Sequence, residues 1–356
     1  MRHFFLGFLI FLLVDSKAIS NAEPLPVSFP KGLFSYSEVE NSCIDQFSIL
    51  TFNTWGLPVR LPGHDQASRF PKIPAAVQSV NAGIVCLQET FHPELRQQIA
   101  AQLFDDYPFH TEHQCQKSIL PFLAKDCYGG LLTLSKFPII SEKFYPFPVN
   151  DEYSLIERIG NKGFLLTTLS VNHTRIHVVN THLYAGHSPL AEKHRKGQIE
   201  YMHQILQALG QNNEPVFLAG DINVHHPCTA FSHVYHALTM DMHWQDVQPI
   251  VDETHFTSDK VTNKYVSQQE PRAKLDYIFF QVPDVFSVQV LSSQKWVDQY
   301  PLLSDHFGWI ATFQLQGPER KRLQPLYAGT KAVHLEQSLS NASAGQIILG
   351  SNQNTK

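Results

Sequence analysis

Val216-Phe217-Leu218-Ala219-Gly220-Asp221-Ile222-Asn223 decides how the rest of this chain is read. Val216, Phe217 and Leu218 form an apolar run of the kind that fills a strand covered on both faces. Gly220 is expected to let the backbone turn without a Cβ penalty. With Ile222 pointing away, Asp221 and Asn223 lie two positions apart and project to the same side of an extended segment. A carboxylate and a carboxamide thus share one spot. The competing reading is a turn in which both side chains satisfy their own backbone.

Other apolar runs end in the same way. Phe47 to Phe52 stops at Asn53, and Ile84 to Leu87 stops at Gln88-Glu89. The hairpin strands Phe164 to Val171 and Arg175 to Asn180 lead to Thr181-His182. Lys274 to Phe280 carries Asp276 near its start, and Ser304-Asp305-His306 precedes Phe307 to Phe313. Runs at Gly129 to Ser135, Ile139 to Phe147 and Phe286 to Leu291 read as further strands. Helical spacing appears over Arg69 to Val80, where Ala82-Gly83 is expected to break the helix, over Pro93 to Leu103, and from about Pro189 to Leu209. Taken singly, a strand-end Asp, Asn or His is usually a turn residue. Jointly they supply the oxygen ligands that a hard cation such as Mg2+ prefers, with histidines for proton transfer and no thiolate cluster.

The remaining sequence bounds the setting. Arg2, the apolar run Phe4 to Val14 and Ser20-Asn21-Ala22 read as a secretory signal, residues 1–22, cleaved near Ala22. The mature chain is expected outside the cytosol. Neither an internal repeat nor a Gly/Ser linker divides it, so one catalytic domain, 23–316, and a tail, 317–356, are expected. The balance of 27 basic and 32 acidic residues argues against a binder held to nucleic acid by a basic surface. It leaves a metal-dependent nuclease open. Of five cysteines, Cys115 and Cys127 bracket a polar loop and are the expected disulfide, one of that loop length stabilising by roughly 3 kcal/mol. Cys86 lies in an apolar run and reads as a buried thiol, while Cys43 and Cys228 are left unassigned.

These strand ends resemble the superfamily of metal-dependent phosphodiesterases that includes pancreatic deoxyribonuclease, apurinic endonucleases, inositol polyphosphate 5-phosphatases and neutral sphingomyelinases. Within it, Phe52-Asn53-Thr54-Trp55-Gly56-Leu57-Pro58, Thr181-His182-Leu183-Tyr184-Ala185, Lys264 to Glu270 with Leu275-Asp276-Tyr277, and Leu303-Ser304-Asp305-His306 are most similar to the neutral sphingomyelinases of the secreted bacterial type. Tyr184 departs from that pattern, standing where a second His is usual. Gly160-Asn161-Lys162-Gly163 is shared with the 5-phosphatases and does not choose between them.

The resemblance implies an α/β four-layer α-β-β-α sandwich, two mixed sheets flanked by helices. It implies a metal site of Glu89, Asn53 and Asp305 holding Mg2+, with Mn2+ as an alternative. His306 is the expected base, oriented by Asp276, with Asp221, Asn223 and His182 completing the catalytic set. Lys162, Asn223 and His182 are expected to contact the phosphate. The implied substrate is sphingomyelin or a related choline phospholipid in membranes, met by a monomer without a stable nucleic-acid partner. An inositol polyphosphate 5-phosphatase or nuclease activity is the alternative. Trp55, Phe122, Trp296 and Tyr300 are aromatic candidates for choline or lipid contact.

Overall fold

The run that opens at Val216 becomes an eleven-residue strand, and it lies inside a sheet rather than at an edge. The computed structural model describes residues 44–57, 64–112, 128–210, 213–226, 233–296 and 302–318, all within one unit, Glu40–Arg320. The expected signal segment, most of the tail, Pro58, Cys43, Cys115, Cys127, Cys228, Phe122 and Tyr300 lie outside the described residues, and the expected disulfide with them.

One sheet is built from β1 (Ile44–Gly56), β2 (Ile84–Thr90), β3 (Phe109–His110), β4 (Leu132–Ser135), β11 (Ser287–Trp296) and β12 (Gly308–Gln316), in the order β11-β12-β1-β2-β4-β3. The other contains β5 (Ile139–Pro146), β6 (Gly163–Val171), β7 (Thr174–His182), β8 (Val216–His226), β9 (Gln245–Asp246) and β10 (Lys274–Gln281), in the order β5-β6-β7-β8-β10-β9. Each sheet is mixed, with one parallel pair, β1 with β2 and β7 with β8. A parallel pair needs a crossover. The first runs through α1 (Gln66–Arg69) and α2 (Ile73–Val80), the second through α5 (Pro189–Ala208). The chain also forms α3 (Pro93–Gln102), α4 (Leu155–Gly160) and α6 (His233–His236).

Alternation along β8 shows how the layers form. Phe217 and Ala219 enter the core between the sheets, where they join Phe47 and Ile49 of β1, Ile278 of β10 and Trp309 of β12. Val216 and Leu218 point the other way, against Ile199, Met202 and Leu206 of α5. On the outer face of the first sheet, Ile73 and Val77 of α2 pack with Ile99 of α3 over Leu50, Val85 and Leu87. Each large apolar side chain fully buried in this way contributes roughly 1.5–3 kcal/mol. The result is helix, sheet, sheet, helix, the expected four-layer sandwich.

Local readings needed revision in places. Gly220 is not a turn: it sits inside β8 opposite Thr181, and a Cβ there would meet the Thr181 carbonyl oxygen at 2.0 Å. Close strand approach, not positive φ, demands glycine. Helix α2 ends one residue earlier than Ala82-Gly83, at Asn81 in the left-handed region (φ 55). Asn161 caps α4 in the same way (φ 42), so Gly160-Asn161-Lys162-Gly163 closes a helix that the sequence pattern had not revealed.

Candidate active site

Strand pairing brings the polar ends to one rim. In the second sheet, parallel pairing sets His182 opposite Asp221 and antiparallel pairing sets Asp276 opposite Asp221. In the first, Asn53 lies opposite Gln88, one residue before Glu89. His306 precedes β12 by two residues, at the end where Trp309 pairs with Thr51. The sequence distances vanish at this edge.

The two sheets meet through side chains. Asn53 Nδ2 donates to Asp221 Oδ2 at 3.0 Å and to Glu89 Oε1 at 3.3 Å, while its Oδ1 accepts from the Trp55 backbone at 2.9 Å. His306 Nδ1 is 2.8 Å from Asp276 Oδ2, and its Nε2 faces Asp221 Oδ2 at 3.8 Å. His182 Nε2 lies 3.4 Å from the same Asp221 oxygen and 3.9 Å from Glu89 Oε1. Asn223 adopts a left-handed φ of 55. Its N–H donates to Asp221 Oδ1 at 3.0 Å and its amide to the Leu183 carbonyl at 3.1 Å. The turn expected of Asp221 and Asn223 is therefore formed, and the same two side chains stand at the rim with His182, His306 and Asn53.

Burial sets the charges. It lifts the Glu89 carboxyl to about 7, the Asp305 charge adding to the rise while Lys162, His306 and the Asn53 amide oppose it. Burial also lifts Asp221 to about 6, opposed by His306 and helped by Asp276. Asp305, partly buried beside Ser304, is raised by burial against the pull of His306. For His306 burial works downward, yet Asp276, Asp221 and Asp305 outweigh it and hold the imidazolium well above its ordinary range. Burial, then Lys162 and His306, push His182 well below its ordinary range, so it is neutral at pH 7. A neutral imidazole can donate from one ring nitrogen and accept at the other.

A hard cation fits this donor set. Glu89 Oε2 is buried without a hydrogen-bond partner among the described residues, and so is Asp276 Oδ1. Among the described residues one group of ligand-type atoms converges, those of Asp221, Asp276 and His306, all within 4.8 Å of one another. Asp276 already gives an oxygen to His306, so this trio reads as a proton-transfer line. Glu89, with its unsatisfied oxygen beside Asn53, is the better cation ligand.

Two supports left no expectation in the sequence. Lys162, expected on an open turn, is buried, and its Nζ is 3.0 Å from Glu157 Oε1 and donates to the Leu183 carbonyl at 3.0 Å. Glu157 also accepts from the Ala185 N–H at 3.1 Å. The signal for it was Ser154-x-x-Glu157, a helix-start pattern, though only the Ser154 half caps the helix. Thr257 Oγ1 accepts from the N–H groups of Leu275 and Asp276, and the Thr257 carbonyl from Phe307 N–H. Tyr184, in place of the usual His, is buried edge-on against Tyr153 at 5.0 Å and accepts from the Ser154 N–H at 3.4 Å. Of the aromatic candidates, Trp55 stacks on His64 at 4.4 Å and Trp296 packs edge-on against Phe52 at 5.1 Å.

Comparison with known proteins bears on the fold and the family. The sequence is 25% identical over 337 residues to sphingomyelinase C 2 of Leptospira interrogans serogroup Icterohaemorrhagiae serovar Lai (strain 56601), a match covering 86% of this chain and 52% of that protein. The chain thus spans about half the length of this curated relative. Among solved structures, sphingomyelinase C from Streptomyces griseocarneus superposes with a TM-score of 0.56 at 24% identity, over 75% of this chain and 99% of that one. A mutant beta toxin from Staphylococcus aureus, with bound magnesium ions, superposes with a TM-score of 0.56 at 21% identity, over 75% of this chain and 99% of that one. At these identities the structural matches establish the fold. The family model of the endonuclease/exonuclease/phosphatase family matches residues 50–306, from the middle of β1 through His306, and the chain belongs to that family.

Proposed function

We propose that this chain is a secreted, Mg2+-dependent phosphodiesterase that hydrolyses sphingomyelin to ceramide and phosphocholine. The observation that carries the reading is the Asp276–His306 pair, with the free imidazole nitrogen facing the Asp221, Asn53 and Glu89 cluster. The sphingomyelinase names of the relatives support the substrate, and the signal-like N-terminus supports secretion.

In the reactive form the proton that His306 and Asp221 compete for rests on Asp221, whose raised pKa allows it. His306 Nε2 is then free to take the proton of a water attacking phosphorus in line, while Asp276 Oδ2 fixes the tautomer by accepting from Nδ1. The bond from phosphorus to the ceramide oxygen breaks, and Asp221, whose burial keeps it protonatable near neutral pH, supplies the proton to the departing alkoxide. His182 and the remaining N–H of Asn223 donate to phosphoryl oxygens. Lys162 adds a buried positive charge behind them. Glu89 and Asn53, with Asp305 beside them, would hold the ion, which when bound supplies Lewis-acid neutralisation of phosphoryl charge.

Release of phosphocholine from sphingomyelin vesicles, with DNA, phosphatidylcholine and an inositol phosphate in parallel, each with Mg2+ and with chelator, tests this. Chelator-sensitive phosphocholine release that His306→Ala abolishes without unfolding is the expected result. Preferential turnover of DNA or of the inositol phosphate would replace the substrate assignment, and near-normal turnover by His306→Ala would remove that residue from the role.

A further inference from the structure

Strands β1 and β12 hold each other by a backbone ladder from Ile44 with Gln316 to Thr51 with Trp309, and the ladder stops there. Asn53 lies beyond that point on one side, and Asp305 and His306 on the other. Something else must set the spacing between them.

Arg69, the last residue of α1, is 2% exposed and makes no ion pair among the described residues. Its guanidinium is spent on backbone carbonyls. Nη1 donates to Thr54 O at 2.9 Å and to Leu303 O, Nη2 donates to Trp55 O at 2.8 Å, and Nε donates to His64 O at 2.7 Å. Three of these carbonyls lie a step or two along the chain from the site. Trp55 has a left-handed φ of 54, and its N–H holds the Asn53 side chain. Leu303 precedes Ser304, whose Oγ accepts from the His306 N–H at 3.1 Å. The Trp55 indole lies against the guanidinium, 4.8 Å from its central carbon to the ring centroid.

We propose that Arg69 is a positioning residue: its planar fork fastens the turn carrying Asn53 to the turn carrying Asp305 and His306, where the backbone ladder has ended. This inference rests on the proposed phosphodiesterase reading of the same site. Burying an arginine without a direct ion pair is costly, a cost that the nearby Asp305 charge offsets only in part, and an apolar residue of similar length would avoid it but leave the carbonyls unsatisfied. Lysine keeps the charge and loses the fork, because a point ammonium cannot reach three diverging acceptors in one plane. A shift of about 1 Å between reacting groups can cost on the order of 100-fold in rate.

The test is Arg69→Lys, measured for kcat and KM on sphingomyelin in mixed micelles, for thermal unfolding, and for binding of Mn2+ followed by the electron paramagnetic resonance signal of the free ion. We expect a folded protein whose kcat falls on the order of 100-fold with little change in KM, and whose Mn2+ affinity falls about 10-fold, the effect of losing a group that orients metal ligands. A charge-only role would leave Arg69→Lys active. A purely structural role would lower the melting temperature and leave kcat intact well below it. Either unchanged kcat or unchanged Mn2+ affinity overturns the proposal. If Arg69→Lys does not fold, Arg69→Gln takes its place, and failure of both to fold at low temperature makes Arg69 a folding residue alone and also overturns it. Should the wild-type chain prove inactive on sphingomyelin, the Mn2+ measurement still decides the matter without substrate.

Discussion

His306 stands just before β12 of one sheet and Asp276 on β10 of the other, yet Nδ1 of the first lies 2.8 Å from Oδ2 of the second. The carboxylate enters from β10 and is held by the Thr257 hydroxyl through its backbone N–H. The imidazole enters from the loop before β12, and the pair is formed by the packing of the two sheets.

Asp276→Asn should leave the fold intact and cut kcat by about 100- to 10,000-fold, because an amide can present the wrong group to Nδ1 and disfavour the productive tautomer. Steady-state turnover with circular dichroism checks this. A variant with native spectrum and more than half the wild-type kcat would show that Asp276 does not orient the base.

The buried Lys162–Glu157 pair should behave as a unit. Glu157→Gln leaves the Lys162 ammonium buried without its carboxylate and should destabilise the chain by about 3–5 kcal/mol. Glu157→Gln combined with Lys162→Met should be distinctly less harmful. Urea unfolding of both variants measures the difference, and a double variant no better than the single one would contradict the pairing.

Lys274 predicts a pH dependence of stability. It is fully buried, its Nζ lies 3.7 Å from the Tyr277 ring centroid and 3.8 Å from Asp246 Oδ1, and burial pushes its pKa down to about 8, with Asp246 and Asp276 opposing. Because the folded pKa lies below the unfolded one, the unfolded chain binds the extra proton between pH 8 and roughly 10.5, and stability rises with pH across that window. Below pH 8 the whole penalty is present, amounting to about 3 kcal/mol. Unfolding free energies of wild type and Lys274→Met, compared at pH 7 and pH 10, should converge or cross by that amount. Parallel pH curves would place the lysine pKa near its ordinary value.

Gly220→Ala should cost at least about 3 kcal/mol, since the new methyl would overlap the Thr181 carbonyl across a paired strand and neither backbone can yield. A urea midpoint equal to wild type would mean that the strands separate freely there.

The strand ends were readable because short apolar runs, of the kind that fill strands buried on both faces, stop at Asn53, Glu89 and Asp221 or open beside Asp276, a local property of the chain. Helix α4 was not, because Leu155 and Ile156 remain exposed and leave no apolar stripe to detect. Lys162 could be found as a residue but not as a buried one, because its partner Glu157 lies on that unseen helix. Thr257 gave no sign, since a hydroxyl accepting from backbone N–H groups has no required spacing.

By itself the sequence determined which residue types stand at the strand ends, and therefore the oxygen-rich, thiolate-free chemistry available to the site. Only the tertiary structure decided that Asn53 would reach Asp221 across the two sheets, that His306 would meet Asp276, and that Arg69 would spend its charge on carbonyls of two separate turns. The physical reason is that backbone carbonyls are present at every residue and leave no mark in a sequence. Which of them converge depends on where strand pairing ends and how the sheets stack.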